Sequence, residues 1–470
     1  MKQDRTTAWL AITLLATYVL IVVGATVSLR EVAEACGGWP ACSGGFAPPV
    51  DDPQALIGWL HRMAAAVTGL LVFGAAVRVR GDDVGRRVRL ATYGALALYP
   101  LQVALGAFAA LGAAETLTAV HLGLATVIFG LLVLALAWRL STDEISIERG
   151  RKTAVAEASG AVDPAGDEAG EPGGLRTSGG WRSTARAYFS MTKPRLMWLL
   201  CLVALAGVGL AVATTGTRTS AATVAATLAG GCLAIGSSGT FNHVLERDRD
   251  RRMARTDDRP LATDTVPVSR ALAFGVLLGI AALAVMAAYV NLVAMALTFV
   301  AIGFYSVVYT VVLKPNTTQN VVIGGAVGAL PALIGWSAIT GSIGVPALML
   351  GLLIFLWTPA HFYNLALVYR EDYESAGFPM LPVVHGDAVT VRHIVYYLGA
   401  TFAAAAGLAA VSGLGWLYAG VSVIVGGVFV AAVVDLHRRR SRRSALRAFH
   451  ASNAYLGTLL VAVIVETLVA

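Results

Sequence analysis

The polar stretch that begins at Asn242 carries most of the chemistry that the sequence suggests. Asn242, Glu246 and Asp250 are spaced four residues apart, so a helix would place them on one face. Carboxylates that stay ionised together beside a bilayer need a cation, and Mg²⁺ is commonly held by one or two carboxylates and the phosphates of a substrate. Arg255 and Arg259 could hold the same diphosphate by bidentate hydrogen bonds. A basic loop set by membrane topology, with acids that only aid solvation, fits the spacing equally well.

The composition of the chain indicates how those residues are positioned. Of its 470 residues, 57% are hydrophobic and only 13% are charged, and the mean hydropathy is +0.71. This balance excludes a soluble globular protein and predicts an all-α polytopic membrane protein, because backbone groups in lipid must be satisfied within each segment. Thirteen apolar runs of about 20 residues, each long enough to span a bilayer, begin near residues 8, 55, 88, 116, 196, 221, 271, 292, 319, 345, 394, 415 and 454.

Positive charge predicts the orientation of these spans. With the amino terminus inside the cell, all but Arg30, Arg62 and Arg218 of the 35 Lys and Arg residues fall in cytosolic segments or at their edges. The opposite orientation would reverse that distribution. The polar stretch after Asn242 is therefore expected on the cytosolic side of the cell membrane. The net charge of +7 then reflects topology and gives no indication of nucleic-acid binding.

Residues 1–140 are predicted to form a four-helix membrane unit. His61 and His121 lie at similar depths in two helices that run in the same direction. Histidine inside a membrane needs a partner, so this pair could ligate a haem iron or could be two hydrogen-bonded core histidines. Cys36 and Cys42 lie in the first external loop, where an oxidising exterior permits a disulfide, although two free thiols fit as well.

A change of composition separates this unit from the rest of the chain. Residues 141–187 are rich in Gly, Ala, Ser, Glu and Arg and too poor in apolar residues to form a core, which predicts a flexible cytosolic linker. Residues 188–470 then form a second unit of nine spans. Four of its cytosolic segments hold charged residues, and their convergence would create one site for a cation and a diphosphate. Outside the Asn242 stretch, the charged residues in these segments are Lys193, Arg195, Lys314, Glu371 and Asp372.

Short motifs in the first unit resemble one half of a haem A synthase, a family that oxidises a methyl group of haem O. The motifs are the loop Trp39-Pro40-Ala-Cys42, the pair His61-Arg62, and the stretch Gln102–Ala107 ahead of His121. The resemblance covers residues 8–138 and implies that His61 and His121 ligate haem and that Cys36 pairs with Cys42. Only one half is present, and Gly58 stands where the family has a glutamate. These departures argue against oxygenase activity and leave a unit that binds haem or passes it on.

Longer motifs in the second unit resemble the protohaem IX farnesyltransferase (haem O synthase) family of UbiA-type intramembrane prenyltransferases. In chain order they are Asn242-x-x-x-Glu246-Arg-Asp-x-Asp250-x-x-Met-x-Arg-Thr-x-x-Arg-Pro260, Gln319-Asn320-Val-Val-Ile-Gly-Gly, Trp357-Thr-Pro-x-His361-Phe and Glu371-Asp372-Tyr-x-x-Ala-Gly-x-Pro-Met-Leu-Pro382. The match runs from residue 190 to residue 470. It implies a nine-helix bundle with a central cavity that opens to the cytosol. One departure is Glu246, which stands where many relatives have aspartate.

The same resemblance implies a role for each polar residue. Mg²⁺ and cationic side chains would stabilise the pyrophosphate that leaves farnesyl diphosphate, and a vinyl group of haem B would attack the farnesyl cation before water adds. The implied metal ligands are Glu246, Asp250 and either or both of Asp372 and Glu371, with Asn242 orienting that shell. The implied diphosphate ligands are Lys193, Arg195, Arg255, Arg259 and Lys314. His361 would ligate the iron of the substrate haem, handle the proton of the water, or be a satisfied core histidine.

Two other functions fit parts of the pattern. A prenyltransferase of the same fold could act on a quinone or lipid acceptor, although the motif around His361 favours haem. A non-enzymatic haem carrier would use the acids as a proton path, and it predicts no magnesium-dependent release of pyrophosphate. The expected partners are farnesyl diphosphate, haem B and the lipid bilayer, and haem A synthase or oxidase assembly proteins are candidates.

Overall fold

The computed structural model describes residues 2–26, 35–36, 39–40, 42, 47–82, 84–111, 115–158 and 180–469. The fold is all-α, as predicted, and thirteen helices are long and apolar enough to cross a membrane. Their number confirms the thirteen predicted spans. Large apolar side chains such as Leu70 and Phe73 are exposed along these helices. Such a surface suits contact with lipid and would be unfavourable in water.

Four long helices make up the amino-terminal part. They are α1 (Lys2–Thr26), α2 (Pro53–Gly81), α3 (Arg86–Ala110) and α4 (Glu115–Ala158). Asp52 begins α2, because its side chain accepts hydrogen bonds from the backbone amides of Gln54 and Ala55 and Pro53 occupies the first helical position. α1 packs against α2 and α4, and α3 packs against α4.

A short helix, α5 (Trp181–Met191), precedes the nine spans of the carboxyl-terminal part. The following helices are α6 (Pro194–Thr215), α7 (Ala221–Asp250), α8 (Val268–Tyr289) and α9 (Leu292–Gly303), which continues as a π-helix (Phe304–Leu313) and a final turn (Lys314–Asn316). The remaining helices are α10 (Asn320–Thr340), α11 (Val345–Val368), α12 (Arg370–Ser375), α13 (Leu381–Ser412), α14 (Trp416–Arg439) and α15 (Arg442–Val469).

Two spans begin earlier than predicted. α13 starts at Leu381 and α15 starts at Arg442, whereas their apolar runs begin near residues 394 and 454. Each helix continues beyond its apolar run into polar residues, so hydropathy alone does not mark its first turns. In α13 these turns join the rest of the helix through Gly386, whose φ of 81° is a backbone conformation that favours glycine.

The predicted flexible linker is helical at both of its ends. α4 continues to Ala158 and α5 begins at Trp181, so both helices enter the range 141–187, while residues 159–179 lie outside the described part of the chain. The prediction therefore needs correction at these ends. Composition was misleading because Ala, Glu and Arg favour helix even where apolar residues are too few to form a core.

The two parts of the chain pack directly against each other. The hydroxyl group of Tyr18 in α1 lies 2.5 Å from the hydroxyl group of Ser422 in α14, and the Tyr18 ring stacks on Phe402 of α13 at 4.4 Å. Gly399 of α13 lies against Val133 of α4, since a Cβ at residue 399 would be 2.5 Å from that side chain. Buried residues from both parts belong to one hydrophobic core.

Small residues allow α6 and α10 to approach each other closely. A Cβ at Gly335 would lie 2.0 Å from the carbonyl oxygen of Ala204, and a Cβ at Gly207 would lie 2.4 Å from that of Ala332. The two contacts are reciprocal, because each helix contributes one glycine and one carbonyl. Close backbone packing of this kind is how helices associate in a membrane, where lipid competes with any apolar side chain.

Gly335→Ala is expected to destabilise the protein by about 1–3 kcal/mol, because the added methyl group forces α6 and α10 apart. The control is Gly420→Ala in α14, where a Cβ meets nothing within 4 Å. Thermal unfolding of both variants in detergent, followed by the loss of monodisperse protein, measures the difference. Equal stability of the two variants would contradict this close packing of α6 against α10.

Candidate active site

The last turns of α7 carry three buried polar residues. Ser220 caps the start of this helix, because its hydroxyl group accepts a hydrogen bond from the amide of Thr223, and the helix continues to Asp250. Asn242, Glu246 and Asp250 share one face, and each is no more than 2% exposed. This burial excludes the alternative of a solvated surface loop. Buried carboxylates must have partners, so the neighbours of this face decide its chemistry.

Lys314 is the partner of Glu246. Its Nζ lies 2.7 Å from both carboxylate oxygens, and it also lies 4.4 Å from the centre of the Phe378 ring. The π-helix Phe304–Leu313 delivers Lys314 to this position, and Thr310 fits the wider turn because its hydroxyl group donates to the carbonyl of Tyr305. Stretches of π-helix often occur at functional sites.

Lys193 is the partner of Asn242. Its Nζ donates to Oδ1 of Asn242 and lies 2.8 Å from the hydroxyl group of Tyr305. The amide nitrogen of Asn242 in turn donates to Thr310 at 3.1 Å. Lys193 has a φ of 55°, an unusual backbone conformation for a residue other than glycine, and it occupies the sharp junction between α5 and α6. Gly239 permits this junction to approach α7, since a Cβ there would lie 2.8 Å from the carbonyl of Met191.

The environment of Lys193 lowers its affinity for a proton. Burial is the largest cause and lowers the pKa of Lys193 to about 8. Glu246 and Asp250 oppose this shift, while Arg255 and Arg259 add to it. Lys193 is therefore positively charged near neutral pH and loses that charge as the pH rises above about 8.

Arg259 is the partner of Asp250. Its Nη1 lies 2.9 Å from each carboxylate oxygen of Asp250, which itself is only 1% exposed. The turns that follow α7 bring the arginine back, and Thr256 holds them by donating a hydrogen bond to the backbone carbonyl of Asp250 at 3.0 Å. Arginine is suited to such a contact because its planar donors match a carboxylate or a phosphate.

Arg255 joins the same turns to the segment after α11. Its Nη2 donates to the hydroxyl group of Tyr373 at 3.2 Å, and its guanidinium lies 4.7 Å from the ring centre of Tyr369. Ser375 of α12 also donates to the backbone carbonyl of Arg252 at 2.9 Å. The structure therefore brings together all four charged segments that the sequence predicted to converge.

Arg195 is a predicted diphosphate ligand that the structure leaves apart. It is exposed on the first turn of α6, two residues after the half-buried Lys193. The junction at Lys193 turns only one of these cations into the site.

The predicted set of four metal ligands is not assembled. Glu371 is exposed and Asp372 is partly buried on α12, while Glu246 and Asp250 each face a cation. Among the described residues, no three carboxylate, imidazole or thiol groups converge on a position that could hold a metal ion. The physical reason is that Lys314 and the arginine after α7 neutralise the two buried acids directly.

An apolar channel begins beside Lys193. Its volume is about 100 Å³, and Lys193 and Tyr305 are at its polar end. Apolar side chains from α6, α7, α9 and α10 form most of the remaining wall; they include Leu196, Leu200, Ala204, Leu228, Ile235 and Ile334. A cavity with one cationic end and apolar walls suits a ligand that has an anionic head and a hydrocarbon tail.

His361 lies deeper in α11 than the charged cluster. Its ring stacks between Trp357 at 4.3 Å and Phe449 at 4.5 Å, and its Nδ1 lies 2.7 Å from the hydroxyl group of Ser452. Tyr369, which contacts Arg255, follows eight residues later, directly after the last residue of α11, and therefore lies about 12 Å further along the helix axis. His361 is thus placed apart from the cations.

The amino-terminal bundle encloses a second, larger cavity. Its volume is about 670 Å³, within the range of about 300–1,000 Å³ that is usual for small-molecule sites. Both predicted histidines, His61 and His121, line it, together with Arg62, Tyr99 and Gln102. The pair is therefore brought to one cavity.

Polar contacts around His121 restrict how it could bind a ligand. Its Nε2 lies 3.1 Å from the side-chain nitrogen of Gln102, and its buried Nδ1 has no hydrogen-bond partner in the described part of the chain. Gly106 makes room for the ring, because a Cβ there would lie 2.9 Å from it. In the segment between α1 and α2, Cys36 and Cys42 are joined by a disulfide.

Sequence reasoning missed the residues that orient the charged side chains. Tyr305 and Thr310 hold Lys193 and Asn242, and Tyr373 holds Arg255. Hydroxyl groups within apolar spans do signal a need for partners. The sequence does not show which partner each one takes.

Comparison with known proteins agrees with both resemblances. The model of the UbiA prenyltransferase family matches residues 200–457, and that of the cytochrome oxidase assembly protein family (COX15-CtaA) matches residues 7–162. A protein of Natronomonas pharaonis named protoheme IX farnesyltransferase 1 is 54% identical over 468 residues, with 100% of both chains covered. A protein of Halobacterium salinarum named protoheme IX farnesyltransferase is 54% identical over 465 residues, with 98% of both chains covered.

A solved structure supports the fold of the carboxyl-terminal part. The structure of a digeranylgeranylglyceryl phosphate synthase covers 61% of this chain and 100% of its own, with a TM-score of 0.51 and 15% sequence identity. At this identity the likeness concerns the fold alone. Because the first family model covers more than half of the chain and the relatives match it end to end, this chain belongs to the UbiA prenyltransferase family.

Proposed function

We propose that the chain transfers the farnesyl group of farnesyl diphosphate to a vinyl group of haem B, with addition of water, and so forms haem O. The observation that carries this proposal is a row of three contacts, namely Lys193–Asn242, Lys314–Glu246 and Arg259–Asp250, in which Lys193 also lines the apolar channel. Such a row suits a ligand with an anionic head and an apolar tail. The end-to-end relatives are named for farnesyl transfer to protohaem, which supports haem as the acceptor.

Four cations are positioned to hold the diphosphate. Lys193, Lys314, Arg255 and Arg259 come from three separate segments and meet around the end of α7. When the bond between farnesyl and pyrophosphate breaks, negative charge develops on the leaving oxygen. Cations already fixed in a site of low water content stabilise that charge without reorganising.

The two buried carboxylates suit Mg²⁺ that arrives with the substrate. Glu246 and Asp250 are one helical turn apart, and Mg²⁺ commonly takes one or two carboxylates and completes its shell with phosphate oxygens and water. These two residues would hold the ion, which supplies positive charge to the departing pyrophosphate. Lys314 and Arg259, which neutralise the carboxylates in the structure, would then face phosphate oxygens.

The proposed reaction balances with water as the only additional reactant. The bond between C1 of farnesyl and its oxygen breaks, and pyrophosphate leaves with the electron pair. The terminal vinyl carbon of haem B forms a bond to C1, which leaves a cation on the neighbouring carbon. The oxygen of water adds there and loses a proton. The apolar side chains of the channel would contact the part of the tail nearest C1 and keep bulk water from C1, so that farnesol does not form instead.

A second function is favoured by the cavity of the amino-terminal bundle. His61 and His121 line a space of about 670 Å³, which supports the proposal that this part binds a haem. The Nδ1 atom of His121 is buried without a partner in the described structure, and a buried polar atom of this kind fits a site whose ligand completes it. The part would then store haem or pass it on, with haem A synthase or oxidase assembly proteins as candidate recipients.

The positive-inside distribution supports a cytosolic active site. Arg255 and Arg259 belong to the cluster of cations at one end of the bundle, and clusters of this kind remain in the cytosol during membrane insertion. Farnesyl diphosphate is water-soluble at its head, so a site at that surface would receive it directly.

The proposed function is tested by its product. Purified full-length protein, haem B, farnesyl diphosphate and Mg²⁺ should release pyrophosphate and yield a haem heavier by one farnesyl and one hydroxyl group, as measured by mass spectrometry. A prenylated quinone or lipid with unmodified haem would support the alternative acceptors. Bound haem without any release of pyrophosphate would support a carrier.

Asp250→Asn is expected to lower farnesyl transfer by at least about 100-fold, because it removes charge from the site with little change of shape. The control is Asp257→Asn, which alters an exposed acid in the same turns. Initial rates of haem O formation measure both variants, and detergent size-exclusion profiles check their folding. A near-normal rate for Asp250→Asn would contradict the assignment.

The pKa of Lys193 predicts a pH dependence. Below about pH 8 its side chain is charged and contacts phosphate, whereas above that value the charge and the contact are lost. We expect kcat/KM for farnesyl diphosphate to fall as the pH is raised through this value in a series from about pH 6.5 to 9.5. Arginine does not deprotonate in this range, so Lys193→Arg should show no such fall. An identical fall in both proteins would assign the titration to another group.

The amino-terminal haem is tested with the double variant His61→Ala/His121→Ala. Haem that co-purifies with the full-length protein should lose the absorbance of histidine-ligated iron in this variant, since both proposed ligands are gone. His385→Ala, which changes an exposed histidine outside the cavity, is the control. An unaltered haem spectrum in the double variant would exclude these ligands.

A further inference from the structure

The ring of His361 is held in one orientation. Trp357 lies nearly parallel to it, with 13° between the planes, and Phe449 stacks on the opposite face at 29°. A ring between two aromatic faces cannot rotate about its bond to the chain without displacing one of them. Only its two nitrogen-bearing edges remain open to hydrogen bonds or ligands.

The hydrogen bonds of the Ser452 hydroxyl group indicate which nitrogen of the His361 ring carries a hydrogen. The Ser452 hydroxyl oxygen lies 2.7 Å from Nδ1 of His361 and 2.7 Å from the backbone carbonyl oxygen of Phe449. The carbonyl can only accept, so both contacts are hydrogen bonds at once only when the single hydrogen of the hydroxyl group points to that carbonyl. The hydroxyl oxygen must then accept from His361, which places a hydrogen on Nδ1. In a neutral imidazole this arrangement leaves the lone pair on Nε2.

Tertiary contacts keep Ser452 in this position. Its side chain is fully buried, and its backbone carbonyl accepts a hydrogen bond from Nε1 of Trp357 at 3.0 Å. The same tryptophan therefore stacks on the histidine and fixes the backbone of the serine. Among the described residues, Nε2 of His361 has no hydrogen-bond partner.

Building on the farnesyl transfer to haem proposed above, we propose that Ser452 is a positioning residue that fixes the tautomer of His361, so that Nε2 ligates the iron of the substrate haem B. Histidines that bind metals usually donate their other N–H to an oxygen in this way. Iron ligation would place the centre of the porphyrin deeper in the bundle than the diphosphate cluster. The vinyl groups, at the edge of the porphyrin, could then extend toward C1 of the farnesyl chain.

Iron-free protoporphyrin IX separates iron ligation from packing, because it has the shape of haem B and no axial coordination. Binding of both porphyrins is measured by optical titration of full-length protein that carries His61→Ala and His121→Ala, so that any haem of the amino-terminal cavity is not counted. In this protein, Ser452→Ala should weaken haem B binding about 10-fold or more and leave protoporphyrin IX binding unchanged. Ser452→Thr retains the hydroxyl group and should restore most of the affinity for haem B.

A matched control is Thr458→Ala, which removes a hydroxyl group that is bonded only to the backbone of the same helix. It should change neither affinity. Equal weakening of both porphyrins by Ser452→Ala would show a packing role, and no weakening would show no role, so either result overturns the proposal. If the parent protein binds haem B no more tightly than protoporphyrin IX, iron ligation is excluded while farnesyl transfer can still hold. If it binds neither porphyrin, the proposed acceptor is wrong as well.

Discussion

Balanced charge inside a largely apolar bundle is the constraint on which the active site depends. Glu246 and Asp250 are almost completely buried, and each lies in contact with one cation, Lys314 or Arg259. Removing one member of such a pair leaves an unpaired buried charge, which typically costs about 3–5 kcal/mol. A protein with apolar residues of similar volume in place of the ion pair would often be at least as stable. The pairs are therefore better explained by chemistry, because they concentrate fixed charge where an anionic leaving group must be stabilised.

Irregular backbone brings the cations to those acids. Lys193 has a left-handed conformation between two helices, and a π-helix precedes Lys314. Arg255 and Arg259 belong to turns that return toward the end of α7. The left-handed residue and the π-helix are not locally favourable, and such backbone persists only where surrounding contacts determine it. The regular helices supply the apolar channel, so the polar and apolar halves of the proposed substrate site come from different kinds of structure.

The amino-terminal bundle is part of the same packed body. Tyr18 connects α1 to α13 and α14 through its ring and its hydroxyl group, and Val133 of α4 fits against Gly399. Under the proposed functions each part binds a haem: the amino-terminal part holds one as a ligand, and the carboxyl-terminal part takes one as a substrate. Close packing would hold their cavities at a fixed separation, which two freely linked domains would not do.

The sequence by itself determined the class of fold and the residue types of the site. Apolar length predicted thirteen spans, and spacing by four placed Asn242, Glu246 and Asp250 on one helix face, because both depend only on local geometry. It did not determine partners: Glu246 contacts a lysine 68 residues away, and Nδ1 of His361 contacts Ser452, 91 residues away. Contacts between distant residues are decided by how helices pack and by irregular backbone, which local sequence patterns do not specify.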